Sequence, residues 1–164
     1  FMGHDEIRCG NWCQACQDRG MTPGQLLADN VRRCTQIIRN INPQARIYVW
    51  SDMFDPFHNA GERDYYYLVN GNWSGSWEGL DSEVIIANWY FTPREQNLPW
   101  FAGRGHKQLL AGYYDRQQFV IAQWLADARR LGAPLSGAMY TTWQNRYDDL
   151  EAWAEKAWGG ADLR

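Results

Sequence analysis

Apolar positions along the chain follow two patterns, one typical of helices and the other typical of buried strands. Helical spacing extends from Leu27 to Ile41, and the preceding run Thr22-Pro23-Gly24-Gln25 predicts a capped helix start. A second capping box, Thr92 to Glu95, predicts another helix start. The other predicted elements are strands over residues 46–52, 83–89, 107–115 and 135–143, and a helix over residues 116–131. A last helix is predicted after Asp148, which can cap it, with Glu151 three residues on. Strands that alternate with helices predict an α/β fold with parallel strands.

Polar and aromatic residues stand where these strands end. In parallel α/β folds, the groups that bind ligands collect at the carboxyl ends of the strands. The residues found there are Asp5 and Glu6, Trp50 and Asp52, Asn88 and Trp89, Tyr113 and Asp115, and Trp143 and Asn145. Carboxylates surrounded by Trp and Tyr favour a carbohydrate ligand, while aromatics that merely close the end of a sheet are the structural alternative.

The adjacent carboxylates of Asp5 and Glu6 are the strongest candidates for chemistry. The chain begins in a strand-like stretch and bends there, so that neighbouring side chains can converge on one pocket. Two carboxylates held close cannot both ionise freely, and one can then act as an acid. The alternative is an exposed acidic turn.

Composition narrows the class of protein. The 164 residues, 45% hydrophobic and 21% charged, predict one soluble domain over residues 1–164. A net charge of −3 argues against a nucleic-acid partner bound by a basic surface. No apolar run reaches membrane-spanning length, so no membrane partner is expected, and no signal peptide is visible. The location, cytoplasmic or exported, stays open.

Aromatic residues are unusually frequent, with ten Trp, nine Tyr and six Phe. Both Trp and Tyr stack on the apolar faces of sugar rings and present a polar tip. Some must also serve the core: Trp124, Trp153 and Trp158 lie in helical patterns and are expected to be packing residues.

Four cysteines come early in the chain: Cys9, Cys13, Cys16 and Cys34. The first three match the spacing that holds an iron–sulfur cluster in radical enzymes, and Cys13-Gln14-Ala15-Cys16 is similar to a thioredoxin-type redox motif. A zinc site with His4 or Cys34 is a further alternative. Structural thiols, free or disulfide-linked, are the simplest interpretation.

The strand-end residues, in this order, resemble the second half of the catalytic barrel of family 20 glycoside hydrolases, the β-N-acetylhexosaminidases. That family has Asp-Glu after strand four, Trp after strands five and six, Tyr-x-Asp after strand seven and Trp-x-Glu after strand eight. The matching residues here are Asp5-Glu6, Trp50, Trp89, Tyr113-Tyr114-Asp115 and Trp143-Gln144-Asn145. Asn145 stands where the family has Glu, and Phe1-Met2-Gly3-His4 where it reads His-x-Gly-Gly. The resemblance implies a partial TIM barrel, a half-barrel corresponding to about strands 4–8.

The resemblance also implies a reaction, the substrate-assisted, retaining hydrolysis of a terminal β-linked N-acetylhexosamine. Glu6 would be the general acid and then base, and Asp5 would orient the acetamido group. Substrate binding is expected from His4, Trp50, Asp52, Trp89, Tyr113, Asp115, Trp143 and Asn145, with Tyr113 on the acetamido oxygen. No cofactor or metal is expected.

A half-barrel would leave sheet edges unpaired, so a homodimer that completes the barrel is expected, and the isolated chain could be inactive. Two alternatives stay open. The chain could be a non-catalytic carbohydrate-binding or structural half-barrel, or a radical enzyme with an iron–sulfur cluster.

Overall fold

A computed structural model describes residues 1–66, 68–113, 115 and 120–159. The helices are α1 (Gln14–Gln17), α2 (Pro23–Ile41), α3 (Arg94–Gly103), α4 (Val120–Arg130) and α5 (Leu150–Trp158). The strands are β1 (Tyr48–Trp50), β2 (Tyr65–Tyr66), β3 (Val69–Asn70), β4 (Ile85–Asn88), β5 (Gln108–Ala111) and β6 (Leu135–Met139). The predicted α/β class is confirmed. Among the described helices, none has the length and apolar character needed to cross a membrane.

The main sheet has four parallel strands in the order β1-β4-β5-β6. Every residue of β4 is buried, as its near-continuous apolar run predicts for a strand covered on both faces. Observed strands are shorter than predicted: β1 ends at Trp50 because Asp52–Phe54 forms a 3-10 turn. The long excursion between β1 and β4 contains the β2–β3 hairpin and a second 3-10 turn, Ser76–Gly79.

Contacts divide the chain into two compact units, Phe1–Ile86 and Ala87–Arg164, with the boundary inside β4. In the first unit, α2 begins as predicted: the Thr22 hydroxyl accepts from the Gln25 backbone N–H, and the Gln25 side chain accepts from the Thr22 backbone N–H. The apolar stripe predicted for α2 is buried at Leu27 and Val31. The prediction is wrong for Ile41, which is 81% exposed. The helix extends past the layer that it packs against.

Two glycines let α2 lie directly against the turn Ser76–Gly79 and the residues before it. A Cβ on Gly24 would collide with the backbone oxygen of Ser74, and a Cβ on Gly79 would collide with the backbone oxygen of Ala28. Glycine permits this close approach because it has no side chain. The contact positions the long excursion that follows β1 within the first unit.

The second unit has its own core, built from α3, α4, α5 and β5. Trp124 and Trp153 are buried there, which confirms their predicted packing role. Trp158 packs only in part: its ring lies edge-on against that of Trp153, with centroids 5.2 Å apart, and it is 48% exposed. It stands at the last turn of α5, where one side of the helix faces solvent.

The predicted caps of α3 and α5 are wrong. Pro93, not Thr92, precedes α3, and no side-chain hydrogen bond caps that helix. Asp149, not Asp148, precedes α5, and its side chain makes no cap either. The carboxylate of Asp149 instead accepts a hydrogen bond from the Tyr113 hydroxyl, a partner distant in sequence.

Candidate functional site

The first residues of the chain run beside β1. The Met2 backbone N–H donates to the Tyr48 oxygen at 2.9 Å, and the Trp50 N–H donates to the Gly3 oxygen at 3.1 Å. The two segments therefore run in the same direction. Asp5 and Glu6 follow directly, at the end of this strand-like stretch, as the sequence predicts.

The backbone bends sharply at this point. Three of four consecutive residues have positive φ: Gly3 at 76°, His4 at 67° and Glu6 at 41°. Such values are rare outside glycine and cost free energy unless surrounding contacts hold them. Asp5 is exposed and Glu6 is half-buried, and within the described residues no hydrogen bond or ion pair engages either carboxylate. Both acids can therefore meet a ligand.

A buried carboxylate holds the bend in place. Asp52 is 0% exposed, and its Oδ2 accepts from the Glu6 backbone N–H at 2.8 Å and from the Asn59 side-chain amide at 2.9 Å. The Asn59 N–H also donates to the Asp52 backbone oxygen at 3.0 Å. Hydrogen bonds to a carboxylate are stronger than those between neutral groups. Asp52, predicted from sequence to bind substrate, lies under the acidic pair and fixes the backbone of Glu6.

The segment after β1 adds polar residues that the sequence analysis did not single out. Asp55, His58 and Asn59 are buried along with Asp52. Burial, and to a smaller extent the nearby Arg63 charge, together lower the pKa of His58 to about 4, so the imidazole is neutral at neutral pH. The only signal in the sequence is the density of polar residues between apolar ones in Asp52-Met53-Phe54-Asp55-Pro56-Phe57-His58-Asn59.

The other predicted residues of the first unit are His4 and Trp50. The His4 Nε2 lies 3.0 Å from Oδ1 of Asn30, and the His4 ring lies 6.1 Å from the Phe54 ring, edge-on. Trp50 is half-buried, with its ring 4.9 Å from that of Phe1. The structure thus gathers His4, Asp5, Glu6, Trp50 and Asp52 at the carboxyl end of β1.

In the second unit, Asp115 lies past the end of β5 and binds the residues that follow β6. Its carboxylate accepts from the Thr142 hydroxyl at 2.6 Å and from the Trp143 backbone N–H at 2.9 Å. Burial raises the pKa of Asp115, but these bonds and the Gln144 backbone N–H outweigh it, so the net pKa is lowered. Asp115 is thus an anion at neutral pH, only partly shielded from solvent.

Tyr113, which was predicted to bind the substrate, is also a packing residue in this structure. It is 1% exposed, its hydroxyl donates to Asp149 at 3.0 Å, and its ring stacks on Tyr140 at 4.0 Å. The Thr141 hydroxyl donates to the backbone oxygen of Tyr113 at 2.6 Å. Asp149 and Tyr140 are therefore partners that the sequence analysis did not single out.

The remaining predicted residues are more open. Trp89 is half-buried beside Tyr90, whereas Trp143 is 53% exposed and Asn145 is exposed with a φ of 54°. Asn88 is buried, and its amide donates to the Gln108 side chain at 2.7 Å, which links β4 to β5. In the second unit, a hydrogen bond brings together two of the predicted residues, Asp115 and Trp143.

The two cavities lie apart from the predicted residues, whereas Cys34 contacts Oδ1 of Asn30, the atom that also lies beside His4. Two cavities of the first unit, about 380 and 680 Å³, are lined by α2 and the turn Ser76–Gly79, and neither is lined by a predicted site residue. All four cysteines are free thiols. The described part of the chain holds no group of three or more His, Cys, Asp or Glu side chains arranged to bind a metal ion.

Comparisons of the chain with family models, with curated proteins and with solved structures found no match. Any functional assignment therefore depends on the residues and geometry described above.

Proposed function

We propose that this protein is a glycoside hydrolase-like enzyme that cleaves a terminal β-linked N-acetylhexosamine with retention of configuration. The fold proposed with it is the C-terminal half of a TIM barrel, about strands 4–8. The observation that supports this function best is the acidic pair Asp5-Glu6. No residue in the described part of the chain engages either carboxylate, and the buried side chain of Asp52 holds the Glu6 backbone.

Glu6 has the placement expected of a general acid and base. A proton donor must be held within hydrogen-bond reach of the leaving oxygen, so its backbone has to be rigid while its carboxyl group stays accessible. The Glu6 backbone is clamped by Asp52, and its side chain is half-buried. Glu6 would protonate the leaving oxygen and then take a proton from the attacking water.

Asp5 would act on the substrate's own nucleophile. In a substrate-assisted reaction the acetamido oxygen attacks the anomeric carbon, and no carboxylate of the protein does so. A carboxylate beside the acetamido N–H orients that group and stabilises the positive charge that develops on it. The exposed Asp5, which adjoins Glu6, suits this role.

The second unit, considered by itself, has groups suited to sugar binding. Asp115 is an anion whose two oxygens accept from Thr142 and Trp143, and because a carboxylate has about four lone-pair sites, a sugar hydroxyl can still donate to it. Trp143 is 53% exposed, and Trp rings stack on sugar rings. Tyr113 could reach an acetamido oxygen only by giving up its hydrogen bond to Asp149. The role proposed for Tyr113 therefore includes an exchange of partners.

The test is hydrolysis of two chromogenic substrates that differ only in the acetamido group. Once the barrel is completed, we expect release of nitrophenol from 4-nitrophenyl N-acetyl-β-glucosaminide and not from 4-nitrophenyl β-glucoside, which lacks the internal nucleophile. Glu6→Gln should cut turnover by about 10²–10⁴-fold, the usual scale for a general acid. Glu151→Gln, at an exposed position of α5, is the matched control and should leave turnover unchanged.

Two results would redirect the proposal. Equal hydrolysis by wild type and Glu6→Gln would remove Glu6 from the mechanism. Sugar binding without hydrolysis, detected by Trp fluorescence with N-acetylglucosamine, would favour the alternative of a non-catalytic carbohydrate-binding half-barrel.

A further inference from the structure

Two cysteines lie on one helical turn near the start of the chain. Cys13 immediately precedes α1, and Cys16 lies within it. The backbone N–H groups of Cys16 and Gln17 donate to the Cys13 oxygen at 3.0 and 3.1 Å, so the turn is closed. Residues three apart on a turn lie on the same side, so the two side chains are neighbours. Side chains three apart on a helical turn have Cβ atoms about 5–6 Å apart, so a disulfide between them requires only a small backbone shift.

The two thiols differ in access and in acidity. Cys13 is exposed, whereas Cys16 is half-buried. The hydrogen bond from the Cys16 thiol, with the Cys16 backbone N–H, lowers the pKa of Cys13, and the same bond raises the pKa of Cys16. The thiolate is the nucleophile in disulfide exchange, so the exposed and more acidic Cys13 reacts first. Cys16 then attacks the mixed disulfide that Cys13 has formed.

The segment around this pair is ordered by its own hydrogen bonds. The Asn11 side-chain amide donates to the Met21 oxygen at 3.2 Å, and the Gln17 amide donates to the Asn11 and Trp12 oxygens, both at 3.4 Å. Gly10 lies so close to the Trp73 ring that a Cβ would collide with it. These anchors hold the turn in place, so pairing the two cysteines orders little additional chain.

We propose that Cys13 and Cys16 form a reversible disulfide by exchange with a small-molecule disulfide such as oxidised glutathione. The pair is a modification site separate from the proposed hydrolytic chemistry. The remaining thiols are left out of the bridge: Cys34 is engaged with Oδ1 of Asn30 at 3.9 Å, and Cys9 lies on the chain before the turn.

The exchange proceeds in two balanced steps. The Cys13 thiolate attacks one sulfur of oxidised glutathione, which breaks the S–S bond and releases one glutathione thiolate. The Cys16 thiol then loses its proton and attacks the Cys13 sulfur of the mixed disulfide, which releases the second glutathione. The protein loses two protons and two electrons, and oxidised glutathione takes them up to become two glutathione molecules.

The test is oxidation of the full chain by oxidised glutathione, followed by alkylation of the remaining thiols and peptide mapping. We expect the mass of the oxidised wild type to fall by two hydrogens and only Cys9 and Cys34 to be alkylated. After reduction, all four cysteines should be alkylated. Cys34→Ser and Cys9→Ser should still form the bridge. Cys16→Ser should instead accumulate glutathione on Cys13, because the second step has no attacking thiol.

A second measurement separates the roles of the two sulfurs. Alkylation of the reduced chain by limiting iodoacetamide should modify Cys13 several-fold faster than Cys16. A bridge that contains Cys9 or Cys34, four alkylated thiols after oxidation, or stoichiometric zinc that blocks alkylation of the pair would each overturn the proposal.

Discussion

At the scale of single residues, the buried carboxylate of Asp52 is the group on which the acidic pair depends. Asp52→Ala would leave the Glu6 backbone N–H and the Asn59 amide without their acceptor. Removing one partner of a buried hydrogen bond costs about 1–3 kcal/mol for the group left unsatisfied. We therefore expect Asp52→Ala to lower the free energy of unfolding by at least that amount, measured by urea denaturation.

Asp5→Ala is the matched control for this measurement. Asp5 is exposed, and substitutions at such positions usually change stability by less than about 0.5 kcal/mol. If Asp5→Ala destabilises the chain as much as Asp52→Ala does, the hydrogen bonds of Asp52 are not what holds the backbone bend at Glu6. Under the proposed function both substitutions should reduce turnover, and only Asp52→Ala should also reduce stability.

The buried His58 predicts how stability depends on pH. Its folded-state pKa, about 4, lies below the ordinary value of 6.5, so the unfolded chain takes up the proton first as pH falls. The stabilisation is fully present above pH 6.5 and is lost as pH falls from 6.5 toward 4. The lowered pKa corresponds to a loss of roughly 2–4 kcal/mol in the free energy of unfolding once the pH is below about 4.

Urea denaturation of wild type and His58→Gln at about pH 7 and about pH 4.5 measures this effect, since carboxylates titrate alike in both proteins. We expect wild type to lose more stability than His58→Gln between the two values. Parallel pH profiles would show that His58 is not held neutral by its surroundings.

At the scale of elements, the two predicted capping boxes form a natural pair for comparison. Thr22 caps α2 with its hydroxyl, whereas Thr92 makes no cap hydrogen bond and Pro93 precedes α3. Thr22→Ala should therefore cost about 1 kcal/mol in thermal or urea unfolding. Thr92→Ala should change stability by a few tenths at most, and an equal loss from both would argue against the cap at Thr22.

At the scale of the whole molecule, the sheet edges carry the prediction of a dimer. At β1, residues Met2 and Gly3 already occupy part of one edge through backbone hydrogen bonds. At the other end of the strand order, β6 pairs with β5 along one side, and all five of its residues are only half-buried. A strand with an open edge invites pairing with another chain.

We therefore expect light scattering at micromolar concentration to give twice the mass of one chain. A symmetric dimer is the expected form because closed two-fold pairing is the commonest assembly. A well-folded monomer over a dilution series would contradict this prediction and would show that the edge of β6 is protected in another way.

The sequence by itself determined the features that depend on neighbours a few positions away. The α/β class, the cap of α2, the buried run of β4 and the place of Asp5-Glu6 after a strand-like stretch all follow from local spacing. Such patterns are visible because helical and strand periodicities set which side chains share a face. The proximity of Asp115 to residues after β6 also follows, since parallel strands end at one edge.

Only the tertiary structure decided which polar groups pair. Asp52 and Glu6 are 46 positions apart, and Tyr113 and Asp149 are 36 apart, so no local pattern reveals either hydrogen bond. The demand that a buried polar group find a partner is met by whichever groups the fold brings near. Asp52 therefore binds the Glu6 backbone, and the Asp149 carboxylate binds the Tyr113 hydroxyl instead of capping α5. Spacing along the sequence cannot show these pairs, because burial is a property of the folded chain.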